Sequence, residues 1–388
     1  TAGTGTDALA GGGASVSVQP GVPGIRYLQL DSAGAPVDTT WILSSAYEYV
    51  DAALAQAGDG FVVAGIFTPT PEIDLYYRSY AGTYRAALES QLRPASGNQL
   101  DSLRVVRGNG RRVVLLWREW GPVTGSTGLK LAEVEPVLSA GTWSLRDGRT
   151  GAAALSAVTL VAGGVAPGLG ADSTHVDWLA TQGCASPATL RQLGVAYVSG
   201  TQSLRRFTVL EDGTAKSAET EVYAAAGSRT VEEPEVTYFE SAGPQWFVAF
   251  TVSDPATADE TLQYWLTTRP VPARAYQQAL AGNGSDSVQR PRASVAGSRL
   301  WLTALGEAGA AGFPRQALAR WVSFAGDLDP PGAAVEVPLT SGTCALAQAD
   351  CRAGDKAGLS AWAAAGRVYY SASSATGSGT WSSALTCD

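Results

Sequence analysis

Two strand patterns alternate along most of this 388-residue chain, and this repetition constrains the fold more than any other feature. In the first pattern a strand and a glycine-containing turn lead into a more apolar strand. Copies of the first pattern start at Asp51, Asp101, Glu235, Arg292 and Gly358, and a looser copy starts at His175. In the second pattern a polar turn joins a strand to an outer strand. Copies of the second start at Ile25, Leu204 and Leu318. Short alternating runs bounded by turn residues are typical of β-strands, so the chain is predicted to be all-β.

The two patterns together predict a unit of four antiparallel strands that recurs roughly every 50 to 60 residues. Such a unit resembles a blade of the β-propeller superfamily, and the resemblance covers about residues 20–388. The chain begins with the second pattern, at 24–44, and ends with the first, at 357–375. We therefore expect six blades, with a closing blade shared between the N- and C-termini. Residues 151–166 are interpreted as an insertion, and strands hidden there would raise the count to seven.

The first 20 residues are rich in glycine, alanine and threonine, and they are predicted to form a flexible tether. Residues 21–388 then form a single propeller domain. The sequence starts at Thr1 and contains no methionine, which is consistent with removal of a signal peptide. We expect a secreted or cell-surface protein of a bacterium, and lipid or tether anchorage at the N-terminus is compatible with this.

Charge and hydrophobicity exclude several classes of partner. The formal net charge is −8 at pH 7 and only 16% of the residues are charged. Nucleic acids and anionic membrane surfaces attract clustered lysine and arginine, so neither is an expected partner. No uninterrupted apolar run is long enough for a transmembrane segment.

The four cysteines favour an oxidising compartment. Cys344 and Cys351 are close in sequence, and they are expected to form a disulfide. The sequence does not assign a bonding partner to Cys184 or to Cys387. Zinc binding is the alternative role for these thiols. The chain has no CxxC motif and a single histidine, His175, which argues against a zinc site.

Five charged residues occupy similar offsets in the first pattern and are the main site candidates. They are Asp51, Asp101, Asp177, Glu235 and Arg292. Because the innermost strands of a propeller line its channel, these side chains would form a ring near one rim. One interpretation is a site for a polar ligand or a cation, with calcium as the expected ion because all its ligands would be hard oxygens. The other is a hydrated vestibule in which each acid caps a neighbouring strand or loop. No cofactor is otherwise required.

Aromatic residues supply one further candidate. Most of the 11 tryptophans lie in apolar strand patterns and are expected in the core. Trp120, in the segment REWGP, lies where a strand enters a loop and is the candidate for ligand contact.

The absence of a GxSxG motif and of histidine-based triads favours a binding or adhesion module. We expect it to recognise a protein or a glycan through one face of the propeller. Two alternatives stay open. One is a glycan hydrolase that uses carboxylates at the channel mouth, such as Asp51 and Asp101. The other is a structural subunit of a surface assembly.

Overall fold

The computed structural model places 29 β-strands in the part of the chain that it describes. That part consists of residues 4–9, 12–18, 23–31, 36–42, 48–58, 60–67, 70–79, 90–95, 97–174, 190–257, 259–274, 286–296, 299–308, 315–327, 335–337, 346–354, 357–364, 367–374 and 380–386. Within these ranges there is no helix of the length and hydrophobicity needed to cross a membrane.

The strands follow one another along the chain as successive antiparallel meanders. The first meander contains β1 (Thr4–Leu9), β2 (Gly12–Ser17), β3 (Ile25–Asp31) and β4 (Pro36–Ile42). The second contains β5 (Tyr49–Ala57), β6 (Gly60–Phe67), β7 (Glu72–Ser79) and β8 (Ser90–Leu92). The third contains β9 (Gln99–Arg107), β10 (Val113–Trp120), β11 (Thr127–Ser139) and β12 (Thr142–Asp147), and β13 (Val158–Ala162) also pairs with β11.

The second half of the chain continues this arrangement. The next meander contains β14 (Val165–Ser173), β15 (Gln192–Ser199), β16 (Ser203–Leu210) and β17 (Thr220–Ala224). It is followed by β18 (Thr230–Glu240), β19 (Pro244–Asp254), β20 (Asp259–Leu266) and β21 (Arg269–Arg274). Then come β22 (Asp286–Ala296), β23 (Arg299–Ala308), β24 (Arg315–Ser323) and β25 (Val335–Val337). The last contains β26 (Leu346–Gly354), β27 (Ala357–Ala364), β28 (Arg367–Ser374) and β29 (Thr380–Thr386).

These meanders form six hydrogen-bonded sheets within the described residues. Four sheets have four strands, the third meander has five because of β13, and one sheet has eight. The eight-stranded sheet joins the meanders β18–β21 and β22–β25 through a single parallel pair, Glu260 and Ser287. The innermost strand of each meander contacts the innermost strand of the next, and β26 contacts β1. The meanders therefore close into a ring, which is the β-propeller architecture.

The prediction of six blades with a shared closing blade is wrong. Each terminus supplies a complete four-stranded sheet, β1–β4 at the start and β26–β29 at the end. The segment 24–44 contains β3 and β4, and β3 pairs with β2 on one side and with β4 on the other rather than with the C-terminal strands. Half of the residues of β2 are glycine or alanine, which have low β-propensity, so its pairing with β1 and β3 rather than local preference explains this strand.

The predicted tether contains both of these strands. Strand β2 pairs with β3 from Gly12–Asp31 to Ser17–Arg26. Ala14, Val16 and Val18 are buried. Residues 12–18 thus belong to the folded domain.

The predicted insertion also contains strands. Val158–Ala162 forms β13, and β14 begins at Val165 as the innermost strand of a new meander. The repeat predicts that this unit starts at His175. That residue, with Asp177, Trp178 and Cys184, lies outside the described residues.

The core lies between neighbouring sheets rather than inside any one of them. One cluster joins β5–β8 to β9–β12, with Trp117 packed among leucine, valine and alanine side chains. Another joins β14–β17 to β18–β21 and includes Trp246 and Trp265. These three tryptophans fill the spaces between blades, as predicted. Tight packing between neighbours explains why the ring holds its sheets in fixed positions.

Candidate functional site

The innermost strands β5 and β9 run in the same direction, which defines two faces of the ring. Near their starts, Oδ2 of Asp51 accepts a hydrogen bond from the Leu103 backbone amide, at 2.9 Å. Near their ends, a Cβ atom at Gly58 would lie only 2.6 Å from Cγ of Arg111. We call the face at the starts of β5 and β9 the upper face. The lower face carries the turns that follow these strands, at Gly58 and at residues 108–112.

The four described members of the predicted charged ring all border a β-bulge. The pairing register shifts next to Asp51 on β5, Asp101 on β9, Glu235 on β18 and Arg292 on β22. A bulge re-aims the side chain beside it, so the repeat places these residues in a recurrent geometry. The fifth member, Asp177, lies outside the described residues.

Asp51 joins two sheets by hydrogen bonds to backbone amides. Its Oδ1 accepts from Ala52 at 2.9 Å, and its Oδ2 accepts from Leu103 on the next innermost strand. Burial raises the pKa of the Asp51 carboxyl, while the positive charge of Arg104 and the two amides oppose this rise. The negative charge of Asp101 adds to the rise, which places the two acids within electrostatic reach.

Asp101 is held by a bidentate ion pair. Arg118 Nε and Nη2 donate to its two carboxylate oxygens at 2.9 and 2.8 Å, and the Ser102 hydroxyl donates to Oδ1 at 2.9 Å. Arg118 is buried, whereas a third of the Asp101 side chain is exposed. Parallel hydrogen bonds of this kind fix both side chains in one orientation. All four carboxylate oxygens of Asp51 and Asp101 therefore already accept hydrogen bonds.

Trp120 lies beside this ion pair. The Arg118 guanidinium carbon is 5.5 Å from the centroid of its ring, a cation–π distance. Trp120 pairs with Gln99 at the start of β9, which puts it on the upper face. Its surface is partly exposed. The position predicted at a loop entrance is therefore next to the charged cluster at the channel rim.

Glu235 and Arg292 form a second, separate pair. Both are buried, and Arg292 Nη1 lies 3.9 Å from Glu235 Oε2. The ring residues are thus arranged as two local groups, each with an arginine. Among the described residues, no three histidine, cysteine, aspartate or glutamate side chains lie close enough to hold a metal ion together. Calcium binding stays a prediction.

A hydrogen-bonded loop lies next to Trp120 on the upper face. It spans residues 121–126 and is closed by hydrogen bonds from Gly121 N to Ser126 O, at 2.7 Å, and from Gly125 N to Gly121 O, at 2.8 Å. Val123 at its tip is 95% exposed. Val50, at the start of β5, is 42% exposed on the same face. The upper face therefore combines apolar surface with the Arg118–Asp101 pair.

Two functional positions escaped the sequence analysis. Arg118 lies on β10, the second strand of its sheet. The ring candidates were taken only from the first strand of each repeat, so the repeat does not predict it. Asp172 on β14 bridges sheets as Asp51 does, because its Oδ2 accepts from the Tyr238 amide at 2.9 Å. An aspartate in the segment GLGADS was the available signal, but the misplaced start of this unit hid it.

Comparison with known proteins bears on the fold. No family model matches this chain, and no curated protein matches it in sequence. A mutant puromycin hydrolase, complexed with PGG, is 11% identical with a TM-score of 0.53, over 97% of this chain and 52% of that one. A mutant of Aleuria aurantia lectin, in complex with α-methyl-L-fucoside, is 14% identical with a TM-score of 0.45, over 88% and 97%. AofleA from Arthrobotrys oligospora is 12% identical with a TM-score of 0.47, over 88% and 87%. Identities this low concern the fold alone, and by its ring of sheets this chain is a β-propeller.

Proposed function

We propose that this protein is a non-catalytic binding module that recognises a glycan through the upper face of its propeller. The observation that carries the proposal is the partly exposed Trp120 beside the locked Arg118–Asp101 pair. An indole ring offers an apolar surface to the C–H face of a sugar, and the exposed part of the Asp101 carboxylate offers hydrogen-bond acceptors to its hydroxyls. The 121–126 loop, closed by two backbone hydrogen bonds, extends this surface with the exposed Val123.

The geometry gives less support to a hydrolase. A paired-carboxylate mechanism needs one carboxyl to donate a proton and the other to act as base or nucleophile. In Asp51 both oxygens accept backbone amides, and in Asp101 both accept from Arg118. These contacts hold strands and side chains in place, which is a structural use of the two acids.

The proposal is tested by glycan-array binding of the wild type and of Trp120→Ala and Trp120→Phe variants. We expect at least one glycan to bind, a loss of about tenfold in affinity for Trp120→Ala, and partial retention for Trp120→Phe, because an aromatic ring remains. Affinity unchanged in Trp120→Ala would contradict the proposed site. A wild type that binds no glycan would instead favour a protein ligand, the other class expected from the sequence.

We also infer that the protein works outside the cytoplasm. The inference rests on the predicted disulfide between Cys344 and Cys351, since such bonds persist in oxidising compartments.

A further inference from the structure

A second charged cluster lies on the lower face, between the sheets β9–β12 and β14–β17. Glu133 on β11 pairs with Val114, next to the 108–112 turn. Glu211 directly follows β16, and its amide donates to Arg191 O at 2.9 Å. Both glutamate residues are completely buried. Two buried acids at one contact between blades are costly unless their charges are compensated.

The turn between β9 and β10 contacts both acids. Arg112 Nη1 donates to Glu133 Oε1 at 3.2 Å, within one sheet. The Asn109 amide donates to Glu211 Oε2 at 2.6 Å, across to the next sheet. Asn109 thus links the two blades, and its hydrogen bond depends on where Glu211 lies.

Each glutamate nevertheless keeps one buried oxygen without a hydrogen-bond partner in the described part of the protein, Oε2 of Glu133 and Oε1 of Glu211. The surroundings are tightly packed. A Cβ atom at Gly148 would lie 2.7 Å from Glu133 Cγ, and one at Gly108 would lie 2.9 Å from Glu211 Oε2. A proton on the carboxyl removes the charge without requiring any additional space.

The charged groups around the two acids add no net positive charge, because two arginine residues lie there with three further acids. The charged neighbours are Arg112, Glu135, Asp147, Arg191 and Asp212. Arg112 is shared, because its Nε also lies 3.8 Å from Glu135 Oε2. The Asp147 carboxylate accepts hydrogen bonds from the Arg149, Thr150 and Ser156 amides. Burial raises the pKa of Glu133 to about 7, with Arg112 opposing the rise and Glu211 adding to it. Burial also raises the pKa of Glu211.

We propose that Glu133, Glu211 and the 108–112 turn form a pH-sensitive contact between two blades, closed while Glu133 carries a proton and loosened when that proton leaves. Above neutral pH two buried negative charges face each other across the contact. Their repulsion is relieved by separating the turn from Glu211, which breaks the Asn109 hydrogen bond. The contact is on the face opposite Trp120, so the device is independent of the proposed glycan site.

Two measurements on the whole protein test this. Carbon-13 NMR titration of glutamate carboxyls should show Glu133 titrating near pH 7 rather than near the ordinary value of 4.5. Amide exchange at Asn109, corrected for intrinsic rates, should lose about tenfold protection from pH 6 to pH 8, following the charged fraction of Glu133. Glu221→Gln is the control, since Glu221 is exposed on β17, where its carboxylate accepts from the Ser203 hydroxyl, and its loss should leave both results unchanged.

Glu133→Gln should keep Asn109 protected at both pH values, because the amide is neutral throughout. A Glu133 carboxyl that titrates near 4.5 in the wild type would overturn the proposal. So would Asn109 protection that falls equally in the wild type and in Glu133→Gln. The wild-type titration decides the matter even if the variant fails to fold.

Discussion

At the scale of single residues, acids on the innermost strands mainly hold the ring together. Asp51 and Asp172 each accept the amide of the following residue with one oxygen and an amide of the next blade with the other. Asp51 lies near the start of β5, at the offset that the repeat singles out, whereas Asp172 lies near the end of β14. The partner of Asp101 could not be predicted, because Arg118 comes from another strand whose register is set only by pairing.

Asp101→Asn should destabilise the protein by about 2 kcal/mol, measured by urea unfolding, because buried Arg118 loses the charge of its partner. The partial exposure of Asp101 keeps this below the cost at a fully buried pair. Asp254→Asn is the control, as Asp254 pairs with the exposed Arg229 at 2.9 Å and should have little effect. Equal effects of the two substitutions would contradict the structural role of Asp101.

Glu133 should make stability fall as pH rises. Its pKa in the folded protein is about 7 against an ordinary 4.5, so the folded state binds the proton more tightly. The contribution is complete below about pH 4.5 and is lost as pH rises through 7, on the order of 3 kcal/mol in total. Urea unfolding of the wild type and Glu133→Gln at pH 5 and pH 8 measures it. A slope retained in the variant would assign the pH dependence to other groups.

The disulfide remains a prediction at the same scale. Cys351 lies on β26, opposite Ser360, while Cys344, Cys184 and Cys387 lie outside the described residues. Peptide mapping without reductant should recover the peptides of Cys344 and Cys351 joined together. Recovery of both as free thiols would remove this support for an extracytoplasmic location.

At the scale of elements, strand positions were easier to predict than their grouping into sheets. Apolar runs such as β6, β10 and β19 can be predicted as strands, because aromatic and β-branched residues recur in them. Strands β2 and β14 are rich in glycine and alanine, and only their pairing with neighbours makes them strands. Glycine at 170 is required by packing, since a Cβ atom there would lie 2.5 Å from Pro234 O.

The role of β2 as a core strand is tested by Val16→Asp. Val16 is buried in the cluster that joins the first two meanders, so a charge there should cost more than about 3 kcal/mol or prevent folding. Val271→Asp is the matched control, because Val271 on β21 is 68% exposed and should tolerate the charge. Thermal unfolding compares the two. A Val16→Asp variant as stable as wild type would restore the tether interpretation.

At the scale of the whole molecule, the repeat predicted the propeller but not its closure. The ring closes by contact of β26 with β1, between two sheets that are each complete. The sequence does not predict β1 and β2, so β3 and β4 look like half of a sheet. Joining them to the C-terminal strands is then the simplest way to close the ring. The site followed the same pattern, since Asp51 and Asp101 came from the repeat, whereas Leu103 was brought to Asp51 by contact between blades and Arg118 to Asp101 by strand pairing within one sheet.

The central claim, that the upper face binds the ligand, is tested most directly by two matched substitutions. Val123→Ser removes an exposed apolar side chain from the upper face, and Leu138→Ser removes one, 50% exposed, from the opposite end of the same sheet. Affinity for a glycan that binds the wild type is measured by calorimetry. We predict that Val123→Ser weakens binding several-fold while Leu138→Ser leaves it unchanged. Binding weakened by Leu138→Ser and unaffected by Val123→Ser would place the ligand on the lower face and contradict the account.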